Sequence, residues 1–205
     1  MTRSTRERII DEALRLFAAR GYSATSVAEI ESAAGLSPGA GGLYRHFKSK
    51  YEVLAAAIHE HAARTHVQVA ESLGHLSLIE SSAPLEVRLS RLCRAGLAKV
   101  REENELIRVF YRDLSQFPEL VAVVRDGLMQ PMFDGITFWF RTQPEYAGAG
   151  SDWNSVGTIL GGSVIQYQLF QETAREAPGN TGKDQFVAAW VTLALGLAPS
   201  PARVG

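Results

Sequence analysis

The sequence predicts an all-α protein, and three observations support this. Apolar residues recur at three- and four-residue spacing over nearly the whole chain of 205 residues, as in amphipathic helices. Strand-like alternation of apolar and polar residues is absent over any useful length. A serine followed three residues later by glutamate occurs at Ser4, Ser26 and Ser49. This capping-box pattern marks helix N-termini, so several helices must begin within the first quarter of the chain.

The first two helices are short and clearly delimited. The first begins after Ser4 and ends at Gly21, a residue type that suits the left-handed cap of a helix. The second begins after Ser26 and ends at Gly35, only about two turns later. The turn at Gly35 is therefore flanked by compact helical segments.

A third short helix and a long fourth one are expected next. Ser37 and Pro38 are typical of an N-cap followed by proline at the first helical position. We therefore expect a helix over residues 37–44, in a segment that runs to Phe47. A long helix follows Ser49.

The remaining residues predict longer helices with few connecting loops. Pro84 and Pro118 each open a helix, and Pro131 is expected to kink the second of these. The other segments are a helix over 106–114, a loop over 143–151, helices over 152–175 and 183–197, and a turn over 177–182.

Composition and charge restrict the class of protein. Hydrophobic residues make up 46% of the chain, too many for a disordered protein. A single cysteine, Cys93, excludes a disulfide framework and a multi-cysteine zinc site. No export or membrane segment is recognisable, which predicts a cytoplasmic protein. Residues 1–50 contain eight Lys and Arg and five Asp and Glu, so this part is positively charged, although the net charge of the whole chain is −1. An anionic partner is therefore expected for the N-terminal part.

Residues 26–47 are organised as a helix-turn-helix candidate. In that arrangement the helix over 27–34 would brace the helix over 37–44, whose N-terminal end would enter the major groove of DNA. The helical pattern alone leaves a second interpretation open, in which three short helices form an ordinary all-α core.

Residues 9–54 resemble the DNA-binding domain of the TetR/AcrR family of transcriptional regulators. The resemblance rests on Ile9, Ala13, Leu16-Phe17, Gly21-Tyr22, Thr25-Ser26-Val27, Ile30, Ala34-Gly35-Leu36-Ser37, Leu43-Tyr44-Arg45-His46-Phe47, Ser49-Lys50 and Leu54. It implies that Tyr44 and Lys50 contact the DNA backbone and that residues 38–43 contact bases. The implied DNA-binding residues are Thr25, Ser26, Ser37, Pro38, Gly39, Ala40, Gly41, Gly42, Tyr44, Arg45, His46 and Lys50.

The segment from Ser37 to Tyr44 departs from the family pattern. It is two residues longer than the commonest spacing and contains three glycines, each of which costs a helix about 1 kcal/mol relative to alanine. Residues 38–41 are therefore either mostly turn or ordered only on DNA. Because neither arginine nor asparagine occurs from 38 to 43, we expect readout through backbone amides, thymine methyl groups and flanking residues such as Arg45 or Thr25. Gly41→Ala should then stabilise the free protein and weaken DNA binding.

The resemblance implies a DNA-binding domain over 1–50, a linking helix over 49–66, and a ligand-binding and dimerisation domain over 67–205. The implied apolar pocket draws on Phe110, Tyr111, Asp113, Phe117, Met129, Met132, Phe133, Trp139, Gln166 and Phe170. Core packing is the alternative for most of these residues. The last two helices are expected to form a four-helix dimer interface through Val156, Ile159, Leu160, Val164, Tyr167, Phe186, Trp190, Leu193 and Leu197. A hairpin packed on its own core is the alternative there.

The predicted function is that of a ligand-responsive transcriptional regulator. It would be a repressor that binds a near-palindromic operator as a homodimer and is released by a small apolar or amphipathic effector. The alternative is an all-α small-molecule-binding protein without specific DNA readout. Neither an enzyme activity nor a cofactor nor a metal is expected. His59 and His61 are two residues apart and cannot share a helix face, and Cys93 lies among leucines as a structural thiol.

Overall fold

A computed structural model of the chain describes residues 3–79, 83–175 and 177–199, with side chains described outside 65–79. Within these ranges the chain is helical and contains no strand, which confirms the predicted fold class. The helices are α1 (Thr5–Arg20), α2 (Val27–Ala33), α3 (Lys50–Ile79), α4 (Leu85–Glu102), α5 (Asn104–Asp113), α6 (Pro118–Val124), α7 (Gln130–Thr142), α8 (Trp153–Ala174) and α9 (Lys183–Leu195). No helix of these ranges is both long and apolar enough to cross a membrane.

The predicted capping boxes fix the starts of α1 and α2. The Glu7 amide donates to the Ser4 hydroxyl over 3.2 Å, and the Ser4 amide donates to the Glu7 carboxylate over 2.8 Å. Ser26 and Glu29 form the same reciprocal pair. The pKa of Glu29 is lowered, chiefly because its carboxylate accepts a hydrogen bond from the Ser26 backbone amide. Both helix starts are therefore encoded locally, as the sequence predicts.

The predicted third helix is wrong over most of its length. Residues 37–42 form successive turns, and only Leu43–Arg45 winds into a short 3-10 helix. Gly39 and Gly41 adopt φ values of 75° and 73°, which lie in the left-handed region that glycine tolerates and other residues resist. Residues 38–41 therefore form a turn, which is one of the two alternatives that the sequence leaves open. Gly41→Ala would place a side chain in this strained region, so the expected stabilisation is also wrong.

The helix expected from Pro118 is divided into α6 and α7 by a wider π-helical turn over Arg125–Met129. Pro131 lies in the first turn of α7. Proline has no amide to donate to the carbonyl four residues earlier, and its ring collides with that carbonyl in a regular helix. The wider turn just before Pro131 removes this conflict, so the irregularity precedes the proline instead of forming a simple kink there.

The chain divides into two compact units, which are described separately. Unit 1 comprises Met1–His66 and Glu103–Met129, and unit 2 comprises Val67–Glu102 and Gln130–Gly205. In unit 1, α1 packs on α2 and α5 around buried Ile9, Phe17 and Leu54. The segment Glu103–Met129 thus groups with the N-terminal residues in space, although the sequence places it in the second domain.

Unit 2 has an aromatic core between α7, α8 and α9. Phe140 stacks on Trp153 at 5.4 Å between ring centroids and also meets Trp139, Tyr146 and Trp190. Helices α7 and α8 approach closely at two glycines of α8. A Cβ on Gly157 would lie 2.5 Å from Thr137, and one on Gly161 would lie 2.8 Å from Phe133. These glycines therefore serve packing within the chain.

Candidate nucleic-acid interface

Two of the residues expected on DNA hold the start of α2 in place. The buried Thr25 hydroxyl donates to the Gly21 carbonyl over 2.8 Å. Lys50 Nζ donates to the carbonyls of Tyr22 and Thr25, each over 2.7 Å, and lies 4.4 Å from the centre of the Tyr22 ring. Burial lowers the pKa of Lys50. The structure thus gives Thr25 and Lys50 internal contacts that bind the loop before α2 to the first turn of α3.

The glycine-rich turn is presented to solvent. Its first four residues are exposed, and Gly41 and Gly42 are partly so; these six residues, Ser37, Pro38, Gly39, Ala40, Gly41 and Gly42, were all expected to contact DNA. Ser26, at the start of α2, is exposed as well. The described part of the chain provides no acceptor for the amides of Gly41 and Gly42, so these two donors remain available to an incoming acceptor.

The residues after the turn include two buried apolar side chains, which anchor the segment in the core, and three exposed polar side chains between them. Leu43 and Phe47 are buried in the core of unit 1. Between them Tyr44 is 57% exposed, and Arg45 and His46 are exposed as well. The anchors therefore leave an aromatic ring, a guanidinium group and an imidazole on the surface next to the glycine-rich turn.

Two exposed cations, Arg45 and Lys48, lie near this surface. Neither Arg45 nor Lys48 forms an ion pair with a residue that the structure describes. Arg6, by contrast, pairs with Glu60 over 2.5 Å and lies over the Phe47 ring. Arg3 pairs with Asp11 over 2.8 Å. Arg6 and Arg8 lie within α1, which begins at Thr5.

Sequence reasoning missed the residue that organises the turn, Glu31. This carboxylate on α2 is completely buried. One oxygen accepts the Gly39 amide over 2.7 Å and the other accepts the Leu43 amide over 2.9 Å. Glu31 lies four residues after Val27, on the helix face that carries the apolar stripe. An acid at that position was the available signal, because a buried carboxylate requires hydrogen-bond donors.

The ten residues expected to line an effector pocket are divided between the two units. In unit 1, the Phe117 ring lies 5.1 Å from Tyr22 and 5.4 Å from Tyr51, while Tyr111 is 60% exposed. Asp113 is buried and pairs with Arg112. The other two expected residues of this unit, Phe110 and Met129, are half-buried.

In unit 2, Trp139 belongs to the aromatic core and Phe133 packs on Gly161, whereas Gln166 and Phe170 are exposed and Met132 is half-buried. This unit also contains an open groove of about 650 Å³. Its lining combines apolar groups with charges of both signs, from Leu97, Ala98, Arg101, Glu102, Tyr167, Gln168, Gln171, Glu172, Gly182 and Lys183. None of the expected pocket residues lines this groove.

The residues expected at a dimer interface fall into three classes of exposure. Leu160, Val164, Tyr167 and Trp190 are buried within unit 2, and the Trp190 indole donates to the Leu160 carbonyl. Val156, Phe186 and Leu197 are half-buried. Ile159 and Leu193 are 69% and 67% exposed. Only the last two present large apolar side chains to solvent, since the first four fill the interior of their own chain.

Among the residues that the structure describes, no group of three or more His, Cys, Asp or Glu side chains is placed so that it could hold a metal ion.

Residues 9–57 match the model of the tetR family of bacterial regulatory proteins. Over 52 residues the chain is 50% identical to the HTH-type transcriptional regulator YerO of Bacillus subtilis, a match to 25% of this chain and 17% of that protein. Over 51 residues it is 49% identical to the regulator AcrR of Shigella flexneri, covering 25% of this chain and 23% of AcrR.

Solved structures match the chain over nearly its full length. A TetR-family regulator of Mesorhizobium loti superposes with a TM-score of 0.71 at 21% identity, over 98% of this chain and 100% of that one. A transcriptional regulator of Saccharomonospora viridis in complex with choline gives 0.70 at 22%, over 92% and 94%. FadR of Bacillus subtilis in complex with stearoyl-CoA gives 0.62 at 18%, over 94% and 97%. At these identities the likeness establishes the fold. The two sequence relatives are HTH-type transcriptional regulators.

Proposed function

The chain belongs to the TetR family of bacterial regulatory proteins through its N-terminal domain, and we propose that it is a cytoplasmic, ligand-responsive repressor of transcription. It binds a near-palindromic operator as a homodimer and releases it when a small apolar or amphipathic effector binds. The observation that carries this proposal is the exposed surface of residues 37–48, with its turn, its aromatic ring and its unpaired cations, on a domain that matches the family.

The surface at residues 37–48 has the properties that DNA binding requires. Arg45 and Lys48 can neutralise phosphates, because neither side chain forms an ion pair with a carboxylate that the structure describes. The Tyr44 hydroxyl and the exposed Ser26 hydroxyl are suited to phosphate or sugar contacts. Thr25 acts indirectly by fixing the start of α2. Lys50 has three N–H donors and uses two of them on carbonyls, which leaves one for a phosphate.

The proposed homodimer rests on the outward faces of α8 and α9. Three of the large apolar side chains exposed by the described residues lie on these two helices, namely Ile159, Phe170 and Leu193. Gly162 faces open space, since nothing lies within 4 Å of the position of a Cβ there. A close helix–helix contact with a second copy would bury this surface. Two copies would also present two reading surfaces to half-sites about one helical turn apart, or a multiple of that.

A route from the effector to DNA is proposed within unit 1. The Arg112 side chain of α5 donates to the Phe17 carbonyl in the last turn of α1. The Tyr51 hydroxyl of α3 donates to Glu119 of α6 over 2.6 Å. A shift of α5 or α6 would therefore move the DNA-binding helices directly. An effector that prefers one position of α5 and α6 would change the affinity for DNA by that preference.

The class of effector is proposed from the sequence and from two proteins of the same fold. FadR of Bacillus subtilis holds stearoyl-CoA and the Saccharomonospora protein holds choline. Stearoyl-CoA combines a long apolar chain with a charged nucleotide part, as expected for an amphipathic effector, whereas choline is a small cation. The groove in unit 2 offers both kinds of lining. A thermal-shift series with acyl-CoA thioesters, free fatty acids and choline, followed by release of bound DNA, would test this part.

The proposed DNA binding is tested by selection from a library of source-genome fragments at physiological salt. The proposal predicts that the purified chain enriches one near-palindromic sequence, and that Arg45→Ala with Lys48→Ala abolishes the enrichment. Weak retention of all fragments alike would contradict it. That result, together with effector binding in the thermal-shift series, would favour the alternative of a small-molecule-binding protein that has lost specific DNA readout.

A further inference from the structure

We infer that Glu31 is the positioning residue of the DNA-reading surface, and that this chain reads bases with a braced turn over residues 37–42 instead of a regular recognition helix. The inference rests on the proposed DNA binding and deepens it. It names the group that gives the turn one conformation, and therefore the group on which discrimination between sequences depends.

The Glu31 carboxylate is buried without a cationic partner among the described residues. Its two oxygens accept the amides of Gly39 and Leu43 over 2.7 and 2.9 Å. A buried carboxylate is unfavourable unless donors replace its hydration. Because both donors come from the turn, the carboxylate and the turn stabilise each other, and a side chain without acceptors would leave both amides unsatisfied.

The amides of Gly39 and Leu43 lie on either side of the segment whose conformation has to be stabilised. Between them lie Ala40, Gly41 and Gly42, and Gly39 and Gly41 are left-handed. Glycines adopt many conformations at little cost, so this segment has no local preference for the observed one. Within the described residues, the backbone amides of residues 37–40 form one other hydrogen bond, which the Ala40 amide donates to the Ser37 carbonyl over 3.2 Å. The conformation is therefore set mainly by Glu31, twelve residues before Leu43.

The braced turn can read DNA without long polar side chains. Its exposed residues, Ser37 to Ala40, offer a hydroxyl, a proline ring and a methyl group. The amides of Gly41 and Gly42 remain unpaired within the described residues. Amides and methyl groups discriminate bases only when they are held at fixed positions. The cations Arg45 and Lys48 lie beyond the bracketed segment, so nonspecific attraction to phosphate does not depend on Glu31.

Glu31→Gln separates these two contributions. Glutamine has the same shape, but its NH₂ group is a donor, so one of the two turn amides must lose its acceptor. The matched control is Glu12→Gln, which removes the same charge from unit 1 at a partly exposed side chain of α1 whose ion pair in the described residues is with Arg15. The probes are the duplex enriched by the wild-type chain and a scrambled duplex of the same composition.

The inference predicts that Glu31→Gln weakens binding to the enriched duplex by about tenfold or more, the effect of losing a base contact. Binding to the scrambled duplex and its salt dependence should remain within about twofold of the wild type, as should all values for Glu12→Gln. If the ratio of the affinities for the two duplexes is the same in Glu31→Gln as in the wild type, the inference is overturned. This includes an equal loss of affinity for both duplexes, which would indicate general damage to the domain.

A measurement on the wild-type chain keeps the inference testable if Glu31→Gln does not fold. Residue-resolved amide exchange by NMR should show the Gly39 amide exchanging at least about tenfold more slowly than the amides of Gly41 and Gly42, although all three lie in one turn. Equal exchange would overturn the brace. If the wild-type chain prefers no duplex at all, the proposed DNA binding fails and the inference fails with it, while slow Gly39 exchange would still identify the brace as purely structural.

Discussion

At the residue scale, Gly41 is the position where backbone strain would affect the proposed DNA reading. Its φ of 73° disfavours any side chain, although an alanine Cβ would meet nothing closer than Tyr44 at 3.9 Å. Gly41→Ala should therefore lower the free energy of unfolding by about 1–2 kcal/mol through backbone strain alone. Gly148→Ala is the matched control, with a φ of 76° and open space around it.

Denaturant unfolding of both alanine variants, with DNA titrations, checks this prediction. Both should lose similar stability, but only Gly41→Ala should weaken binding to the enriched duplex. A Gly41→Ala protein that is more stable than the wild type would show that the turn is not the conformation of residue 41 in solution.

Lys48 provides a separate test of the phosphate contacts. If its exposed ammonium group neutralises one phosphate, Lys48→Ala should weaken binding to all duplexes alike and reduce the slope of log K against log salt by about 1. Lys183→Ala removes an exposed cation at the start of α9 in unit 2 and should leave the slope unchanged. Filter-binding titrations at several salt concentrations decide between these outcomes. An unchanged slope in Lys48→Ala would place Lys48 away from the DNA.

Cys93 is expected to be inert. It is 1% exposed, and burial raises its pKa from 9.0 to about 12. The thiolate is the reactive form, so an aromatic disulfide reagent at pH 8 should label the urea-unfolded chain quickly and the native chain only as fast as it opens. Because the unfolded thiol ionises first, this group should also reduce stability as the pH rises from about 9 towards 12. Rapid labelling of the native chain would contradict its burial.

At the element scale, the helix starts and the turn show what the sequence could and could not predict. Ser4 and Ser26 each satisfy amides within three residues, so local pattern was sufficient to place α1 and α2. The turn at 37–42 depends on Glu31, which lies eight residues before Gly39 and twelve before Leu43. Such a contact has no local signature beyond an acid on an apolar face. A capping serine and proline therefore suggested a helix that three glycines do not sustain.

The sequence was likewise insufficient to predict which residues of α8 and α9 are buried within the chain. Helical spacing identified α8 and α9 and their apolar residues, but it could not tell which apolar side faces the chain's own core. Trp190 fills the core, and Leu193, three residues later, faces solvent. Likewise nothing in the local pattern shows that Gly157 and Gly161 of α8 allow the close approach of α7. Side-chain direction in a bundle depends on the packing partner, which is remote in sequence.

A substitution on the exposed side of α9 tests the proposed dimer without damage to the core. Leu193→Asp places a charge at a position that is 67% exposed in the single chain, so the chain should fold but remain monomeric at low micromolar concentration. Val87→Asp introduces the same charge at an exposed apolar residue of α4, 39% exposed, and should leave the assembly unchanged. Sedimentation equilibrium of both variants measures the result. A dimeric Leu193→Asp protein would place the interface elsewhere.

At the scale of the whole molecule, the proposed function requires a DNA-reading surface, a dimer interface and a segment that responds to the effector. The proposed DNA-reading surface and the segment Glu103–Met129 lie in one compact unit. The exposed faces of α8 and α9 lie in the other unit. We propose that a dimer reads two half-sites with a surface built on the braced turn, and that discrimination between DNA sequences follows from this.

A competition titration at physiological salt tests this proposal. It compares the near-palindrome enriched by the chain with the same duplex in which one half-site is scrambled. The intact site should bind at least about a thousandfold more tightly than unrelated DNA, and loss of one half-site should remove most of this preference. Equal affinity for the intact, half-scrambled and unrelated duplexes would contradict it.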